Sequence, residues 1–206
     1  PFKGGAILGD RVRMKDLKNN KDIFIRSFSS RGNLGGLSSA ISDVEILYES
    51  FGFDVIIYET VGVGQIELDI INFCDTFVLC LTPESGDEIQ MMKSGLLECC
   101  DIIAINKSDR PGAGKLEAIL SQLFDLNNKK WKIPIIKTIA LRKKGMNALF
   151  LEIYNHYKFL LKKSQIKNKV NDQYMFRLKK IAKEYLLSDF FGSPSRDKLI
   201  KKELAK

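Results

Sequence analysis

The sequence predicts an α/β protein with an open, doubly wound, mostly parallel sheet, followed by a helical arm. Apolar runs rich in β-branched residues alternate with segments of helical periodicity, which is the rhythm of β-α-β units. Several runs are apolar without alternation, as expected for parallel strands covered on both faces. The predicted strands are residues 23–27, 54–59, 76–82, 101–107 and 133–139.

Three segments between these runs have the pattern of helices. In residues 34–51, apolar side chains recur at steps of three and four and form one helical face: Leu37, Ile41, Val44, Tyr48 and Phe51. Residues 88–99 and 114–125 show the same pattern. Folds of this class bind ligands in the crevice beyond the carboxyl ends of the strands.

The strand signal stops after about residue 145. Residues 146–163 and 170–187 are Lys-rich and helical in pattern, and the Lys/Asn-rich stretch 162–172 is predicted to connect them. We therefore divide the chain into an α/β domain over residues 1–150 and a helical arm over residues 151–206.

The net charge of +8 belongs to the arm, because residues 151–206 carry 14 basic and 6 acidic side chains. A basic helix face can bind nucleic acid or anionic lipid, but a solvated helical surface is the commoner explanation. No apolar run reaches about 18 residues, the length a transmembrane helix needs. The charge pattern therefore predicts neither a nucleic-acid partner nor a membrane partner.

The four cysteines are Cys74, Cys80, Cys99 and Cys100. None forms a C-x-x-C pair, and the chain has a single histidine, so a Cys/His zinc site is not expected. Their apolar neighbours predict small core residues in a reducing compartment.

The strand at 101–107 ends in the sequence Asn106-Lys107-Ser108-Asp109. Asn-Lys-x-Asp at the end of a strand is the guanine-recognition motif of GTPases. The Asp carboxylate accepts hydrogen bonds from guanine N1–H and N2–H2, the Lys stem packs along the base, and the Asn ties the loop to its neighbours. A polar surface turn is the alternative, but the strand context favours guanine binding. After the next strand, the backbone amides of Ala140 and Leu141 are candidates to meet guanine O6.

A second motif, "ETVG", places Glu59 at the end of the strand 54–59 and Gly62 in the following turn. In P-loop nucleotide hydrolases an acid at this place holds Mg²⁺, directly or through water, and the glycine lets a backbone N–H approach the γ-phosphate. An acid beside a turn at a helix amino terminus explains the pattern about as well.

Two further loops contain candidate residues. "GGAILGDRVRM" (4–14) presents Asp10 between glycines and arginines, which suits an Mg²⁺-phosphate site or an ordinary exposed turn. In "PESGDEIQMMKSG" (83–95), Asp87 and Glu88 precede Lys93. Acids in the first turn of a helix are normally capping residues.

These segments, with "FIRSFSSRGNLGGLS", "GFDVIIYETVGVGQIELDI" and the basic helical tail, resemble the MeaB/ArgK/MMAA family. Its members are P-loop GTPases of the SIMIBI class. They chaperone adenosylcobalamin-dependent methylmalonyl-CoA mutase. The older family label is LAO/AO transport system kinase.

The resemblance implies a role for each matching segment. It implies GTP or GDP and Mg²⁺ as cofactors, Asp10 in switch I and Glu59 in the Mg²⁺-linked switch II motif, with Gly62 beside the γ-phosphate. It implies that residues 84–95, including Asp87, Glu88, Gln90 and Lys93, form the switch III loop that contacts the mutase. It further implies that the tail holds the helices of a homodimer. The family's base-loop Ser is Ala140 here.

The sequence departs from the family pattern in one respect. No G-x-x-x-x-G-K-[ST] loop is present, and "DRPGAGKL" (109–116) imitates it with Asp109 in place of the first Gly and Leu116 in place of the Mg²⁺-binding Ser/Thr. We expect the chain to lack the amino-terminal P-loop unit and the central strand that this unit provides. Alone, it is expected not to hydrolyse GTP.

The resulting prediction is the GTPase domain of a mutase chaperone, with a helical dimerisation arm. Two alternatives stay open: a metallochaperone GTPase for nickel or cobalamin insertion, and a non-catalytic split-gene remnant that acts as an interaction module. The expected location is the bacterial cytoplasm, or the mitochondrial matrix in a eukaryote.

Overall fold

The protein is described here by a computed structural model. The described residues are 14, 20–28, 40–60, 70–84, 95–125, 130–162, 165–191 and 196. In chain order, the elements are α1 (Ala40–Ser50), β1 (Val78–Leu81), α2 (Leu96–Cys99), β2 (Ile102–Ile105), α3 (Ala113–Asp125), β3 (Ile135–Lys137), a 3-10 turn (Ala140–Arg142), α4 (Met146–Lys162) and α5 (Gln165–Phe191).

The chain divides into two compact units. The first contains residues 1–74 and 86–99, and the second contains residues 75–85 and 100–206. The second unit holds the whole three-stranded sheet and both arm helices. It is therefore the unit that contains the predicted α/β architecture.

The sheet is parallel, with strand order β1-β2-β3. In the register, Cys80 of β1 stands opposite Ala104 of β2, and Ala104 stands opposite Ile136 of β3. Parallel strands need a crossover connection, and α3 supplies it between β2 and β3. The predicted α/β class with a parallel sheet is confirmed.

Strand β2 is the centre of the core. All four of its residues are at most 2% exposed, so both of its faces are covered. In α3, Ala113, Leu116 and Leu120 are buried and lie on one helix face at three- and four-residue spacing. Helix α3 contacts β3, and α4 contacts both β2 and α5. The predicted apolar runs that form strands are therefore those packed against neighbouring strands and helices.

The predicted helices at 114–125 and 146–163 are confirmed by α3 and α4. Helix α5 is longer than predicted, because it begins at Gln165 inside the stretch that was expected to be a connection. Lysine is a good helix former, and a solvent-facing helix tolerates such a polar composition. Among the described residues, no helix is long and apolar enough to cross a bilayer.

The first unit contains α1 and α2. Phe24, Tyr48 and Phe53 form an aromatic cluster beside α1, with ring centroids 5.6 and 5.5 Å apart along the series. Helix α1 ends at Ser50 and is followed by a left-handed Gly52, after which the Phe53 N–H donates to the Tyr48 carbonyl at 3.2 Å. Of the predicted α1 face, Ile41 is buried and Phe51 is exposed.

Two predicted strands are wrong. Residues 23–27 and 54–59 are described, and neither segment is a hydrogen-bonded strand. Val55 and Ile57 are 71% and 86% exposed, so they lack the neighbours that bury an inner strand. An apolar run indicates a tendency to be buried, but it becomes a strand only when another strand pairs with it.

The prediction for the cysteines is correct only in part. All four are free thiols, and Cys100 is buried, as expected of a small core residue. Cys74 is half-buried, whereas Cys80 and Cys99 are exposed. Cys80 is exposed because β1 has buried residues only at Leu79 and Leu81, on its other face.

Gly145 allows the loop after β3 to approach the backbone of Lys137, and a substitution at Gly145 tests this close approach. Its φ is +74°, and an added Cβ would lie 2.1 Å from the Lys137 carbonyl oxygen. We expect Gly145→Ala to lower the free energy of unfolding by roughly 2–4 kcal/mol, since it combines a left-handed conformation with a backbone clash.

Gly114, inside α3, is the matched control because a Cβ there meets open space. Gly114→Ala should raise the free energy of unfolding by about 0.5–1 kcal/mol. The measurement is urea denaturation of both variants in the complete protein, meaning this chain with whatever further residues its gene encodes. Equal effects of the two substitutions would contradict the close approach at Gly145.

Candidate functional site

The predicted guanine motif lies at the carboxyl end of β2. Asn106 follows the last strand residue, and its N–H donates to the Leu81 carbonyl at 2.8 Å, which extends the pairing with β1 by one step. Lys107 then takes a left-handed conformation with φ +54°, and the chain turns away from the sheet. Asp109 is exposed, and no described residue donates a hydrogen bond to its carboxylate. The loop therefore presents a carboxylate outside the carboxyl edge of a parallel sheet.

Asn106 joins this loop to the loop after β3. Its side-chain oxygen accepts hydrogen bonds from the Ala140 N–H at 3.1 Å and from the Thr138 hydroxyl at 3.2 Å. The residues lie more than thirty positions apart in the sequence, so these contacts depend on the parallel register of β2 and β3. In this structure Asn106 does tie its loop to a neighbouring one.

Thr138 holds residues 106–112, the segment between β2 and α3 that we call the recognition loop, from the other side. It is 3% exposed, its N–H donates to the Ile105 carbonyl at 2.9 Å, and its carbonyl accepts the Ser108 N–H at 3.1 Å. With the bond to Asn106, one buried residue fixes the end of β2 and two points of the loop. Thr138 was not among the predicted site residues, although a polar residue at the end of the apolar run 133–137 is a signal for it in the sequence.

Ala140 and Leu141 begin the 3-10 turn after β3. The Ala140 amide already donates to Asn106, whereas the Leu141 side chain is fully exposed. The turn is closed by antiparallel pairing of Ile139 with Lys144, with N···O distances of 3.0 and 3.3 Å. The structure thus brings both predicted residues beside the Asn106 loop, with the Ala140 N–H engaged.

A second contact joins the recognition loop to the chain after β1. The Arg110 guanidinium donates a hydrogen bond to the Glu84 carboxylate, and this bond, with the nearby positive charge, holds the pKa of Glu84 below its usual value. Gly112, with φ +94°, lies close to Pro83, so that a Cβ would stand 3.6 Å from the Pro83 carbonyl oxygen. Residues 110–112 and 83–84 therefore pack together at the carboxyl edge. This pairing was not predicted from the sequence.

The remaining predicted site residues are placed elsewhere. Glu59 is exposed and belongs to the first unit, whereas Asn106 and Asp109 belong to the second. Within the described part of the chain, no group of three His, Cys, Asp or Glu side chains could hold a metal ion. The other predicted positions lie outside the described residues: Asp10, Gly62, Asp87, Glu88, Gln90 and Lys93.

A parallel sheet with polar loops at its carboxyl edge, one of them Asn-Lys-x-Asp, defines the class: an α/β domain of the GTPase type. The family model described as "Methylmalonyl Co-A mutase-associated GTPase MeaB" matches residues 1–195. The chain belongs to this family.

Individual relatives agree with the family match. The Pyrococcus horikoshii protein "Putative GTPase PH0274" is 45% identical over 82% of this chain and 55% of its own length. The Escherichia coli "GTPase ArgK" is 32% identical over 99% of this chain and 63% of its own length. The Caenorhabditis elegans "Methylmalonic aciduria type A homolog, mitochondrial" is 30% identical over 93% of this chain and 49% of its own length. The chain spans about half of the length of these curated relatives, and rather more of the Escherichia coli protein.

Proposed function

We propose that the complete protein binds guanine nucleotides through the Asn106 loop and hydrolyses GTP with Mg²⁺. The observation that carries the proposal is the geometry of this loop: Asn106 is fixed by two hydrogen bonds, and Asp109 projects at the carboxyl edge of the sheet. Membership in a family of GTPases supports the same activity.

The residues of the loop fit a guanine base. A carboxylate accepts hydrogen bonds only, and guanine offers two adjacent donors, N1–H and N2–H2, where adenine offers none in that pattern. The exposed Asp109 carboxylate is therefore available to a guanine without first breaking a hydrogen bond to another described residue. Lys107, also exposed, provides an aliphatic stem for packing along the base.

Glu59 is the described residue that fits an Mg²⁺ role. Mg²⁺ in nucleotide sites takes one or two carboxylates and fills its other positions with phosphate oxygens and water, so one exposed glutamate is a sufficient protein ligand. In this proposal Asp10 would add a second carboxylate, and Gly62 would provide a backbone N–H for the γ-phosphate. The metal ion would neutralise charge that develops on the phosphate oxygens.

The base specificity can be tested by Asp109→Asn in the complete protein. The amide places a donor where guanine N2–H2 requires an acceptor, whereas xanthine carries an oxygen at that position. Because one charge-assisted hydrogen bond is lost, we expect GDP to bind at least about tenfold more weakly. We also expect the variant to prefer xanthosine diphosphate to GDP.

Calorimetric titration with GDP and xanthosine diphosphate measures both affinities. Asp125→Asn, at the carboxyl end of α3, is the matched control and should bind GDP as the wild type does. Unchanged GDP affinity in Asp109→Asn would remove Asp109 from the base site.

We further propose that the complete protein chaperones an adenosylcobalamin-dependent methylmalonyl-CoA mutase. The support is the family description and the loop 84–95, whose acidic and basic residues suit a charged protein surface. Glu84 at the start of this loop is bound to Arg110 in the recognition loop. A partner that contacts Glu84 would therefore act on a residue that is bound to the recognition loop.

This partner role predicts a separation of two rates. Asp87→Ala and Lys93→Ala should leave the intrinsic GTPase rate nearly unchanged, because neither side chain is assigned to phosphate or base. Both should abolish the acceleration that a mutase gives. Phosphate release with and without mutase measures the two rates, and Lys130→Ala, at an exposed bend, is the control. Full acceleration in both variants would contradict the assignment.

The arm helices support a homodimer. Along α5, apolar side chains that are 43–70% exposed recur at steps of four and three residues on one face: Val170, Tyr174, Leu178, Ile181 and Tyr185. A second exposed stripe runs along α4: Phe150, Tyr154, Tyr157 and Leu161. Contiguous exposed apolar surface of this kind marks association sites. A second copy of the chain fits, since antiparallel or parallel helix pairs bury such stripes against each other.

Ile181→Glu tests this dimer. In a two-fold symmetric interface the substitution removes two buried isoleucines, about 1.5–3 kcal/mol each, and should weaken the dimer more than about 100-fold. Lys179→Glu adds an acid on another face of α5 and should leave the dimer intact. Sedimentation equilibrium of the complete protein reads the association state. A wild-type monomer at micromolar concentration would contradict the proposal.

A further inference from the structure

The single histidine of the chain lies buried at the amino-terminal edge of the sheet, opposite the recognition loop. His156 projects from α4 and is 2% exposed. Its Nδ1 lies 2.9 Å from the Thr76 hydroxyl, and its Nε2 lies 3.3 Å from Asp101 Oδ1. Thr76 precedes β1 and Asp101 precedes β2, so the imidazole joins an arm helix to the starts of two strands.

Asp101 gathers the rest of the cluster. Its Oδ2 accepts the Phe77 N–H at 2.9 Å and lies 3.6 Å from Lys169 Nζ of α5, and its backbone carbonyl accepts the Trp131 indole N–H at 2.8 Å. Lys169 also donates to the Asp75 carbonyl. Asp101 therefore contacts residues from α4, α5, the segment before β1 and the segment before β3.

Aromatic rings cover the imidazole. The Trp131 ring centroid lies 4.9 Å from that of His156, and Phe159 lies 5.1 Å from Trp131 and 6.2 Å from His156. A proton added to His156 would place a charge in this enclosed position. The docking of both arm helices thus depends on a site where a charge is poorly solvated.

The contacts of the ring accommodate a neutral imidazole. When the ring proton is on Nε2, it faces Asp101 Oδ1 at an Nε2–O distance of 3.3 Å, and Nδ1 can accept a hydrogen bond from the Thr76 hydroxyl. The charged groups that face the ring are Asp101, Asp75 and Lys169. Burial lowers the pKa of His156, Lys169 lowers it further, and the two carboxylates oppose these effects without cancelling them, so that the pKa lies below its usual value.

We propose that this cluster is a proton-operated latch: the neutral His156 holds α4 and α5 on the amino-terminal edge of the sheet, and its protonation loosens them. A proton from solvent would bind at Nδ1. The Thr76 hydroxyl could then no longer donate a hydrogen bond to Nδ1 and would have to rotate. The arm that loosens is the one with the exposed apolar stripes on α4 and α5. The latch uses no residue of the recognition loop, so it does not depend on nucleotide binding.

The sign of the pH effect follows from the pKa below the usual value. The docked state keeps its full stability above about pH 6.5, the ordinary pKa of histidine, and loses stability as the pH falls from there towards the lower pKa of the docked form. If the pKa of His156 were higher in the docked state than in the undocked state, the docked state would instead become more stable as the pH falls.

Hydrogen–deuterium exchange of the complete protein tests the latch. Between pH 7.5 and 5.5, after correction for intrinsic exchange rates, peptides from α4 and α5 should lose protection while those from β2 keep it. In His156→Gln the loss should disappear, because the amide can still donate to Asp101 and accept from Thr76 but cannot be protonated. Lys158→Gln, on the exposed face of α4, is the control and should behave as the wild type does.

Two further measurements keep the test decisive if His156→Gln does not fold. The His156 ring signal in the NMR spectrum should titrate below pH 6.5, and Lys169→Met should move its midpoint upward because a neighbouring positive charge is removed. A midpoint at or above 6.5 in the wild type would overturn the proposal. The same pH response in His156→Gln, or equal loss of protection in the sheet, would also overturn it.

Discussion

The burial of β2 on both faces is the constraint on which the rest of the second unit depends. Ile102, Ile103 and Ile105 are fully enclosed, so the strand cannot slip or rotate without exposing them. Its two flanking residues are therefore held in fixed places. Asp101 stands before the strand and Asn106 after it, and each is the centre of a hydrogen-bonded cluster.

The two clusters lie at opposite ends of the same strand, roughly 16 Å apart at the usual rise per residue. Their surroundings therefore differ. At the carboxyl end, Asn106 and Thr138 shape a loop whose exposed Asp109 is available to a ligand. At the amino end, Asp101 and His156 are directed inwards and join the arm to the sheet. In parallel α/β sheets, the carboxyl edge is also where ligands bind.

The sequence predicted the parts that are local. Four consecutive residues identify the recognition motif, and continuous apolar runs identified β1, β2 and β3, of which β2 is enclosed on both faces. The run at 54–59 has the same composition, yet it is no strand, because pairing depends on a partner that composition does not encode. The connection expected at 162–172 is mostly helix, because lysines and asparagines on a solvent-facing helix imitate a linker.

The long-range contacts could not be predicted in this way. Thr138 reaches Asn106 across 32 positions, and His156 reaches Thr76 across 80, so each pair becomes visible only in the folded chain. The exposure of Cys80 also depends on which face of β1 is covered, and an apolar neighbourhood in sequence does not reveal that.

The central claim is that Asp109, held in place by the Asn106 loop, reads a guanine base. Its most direct test is calorimetric titration of the complete wild-type protein with GDP, inosine diphosphate and ADP. The base of inosine diphosphate keeps N1–H but lacks the 2-amino group, so one charge-assisted hydrogen bond is lost. Inosine diphosphate should therefore bind about 10–150-fold more weakly than GDP. ADP should bind more weakly still. Equal affinity for GDP and ADP, or for GDP and inosine diphosphate, would contradict the account.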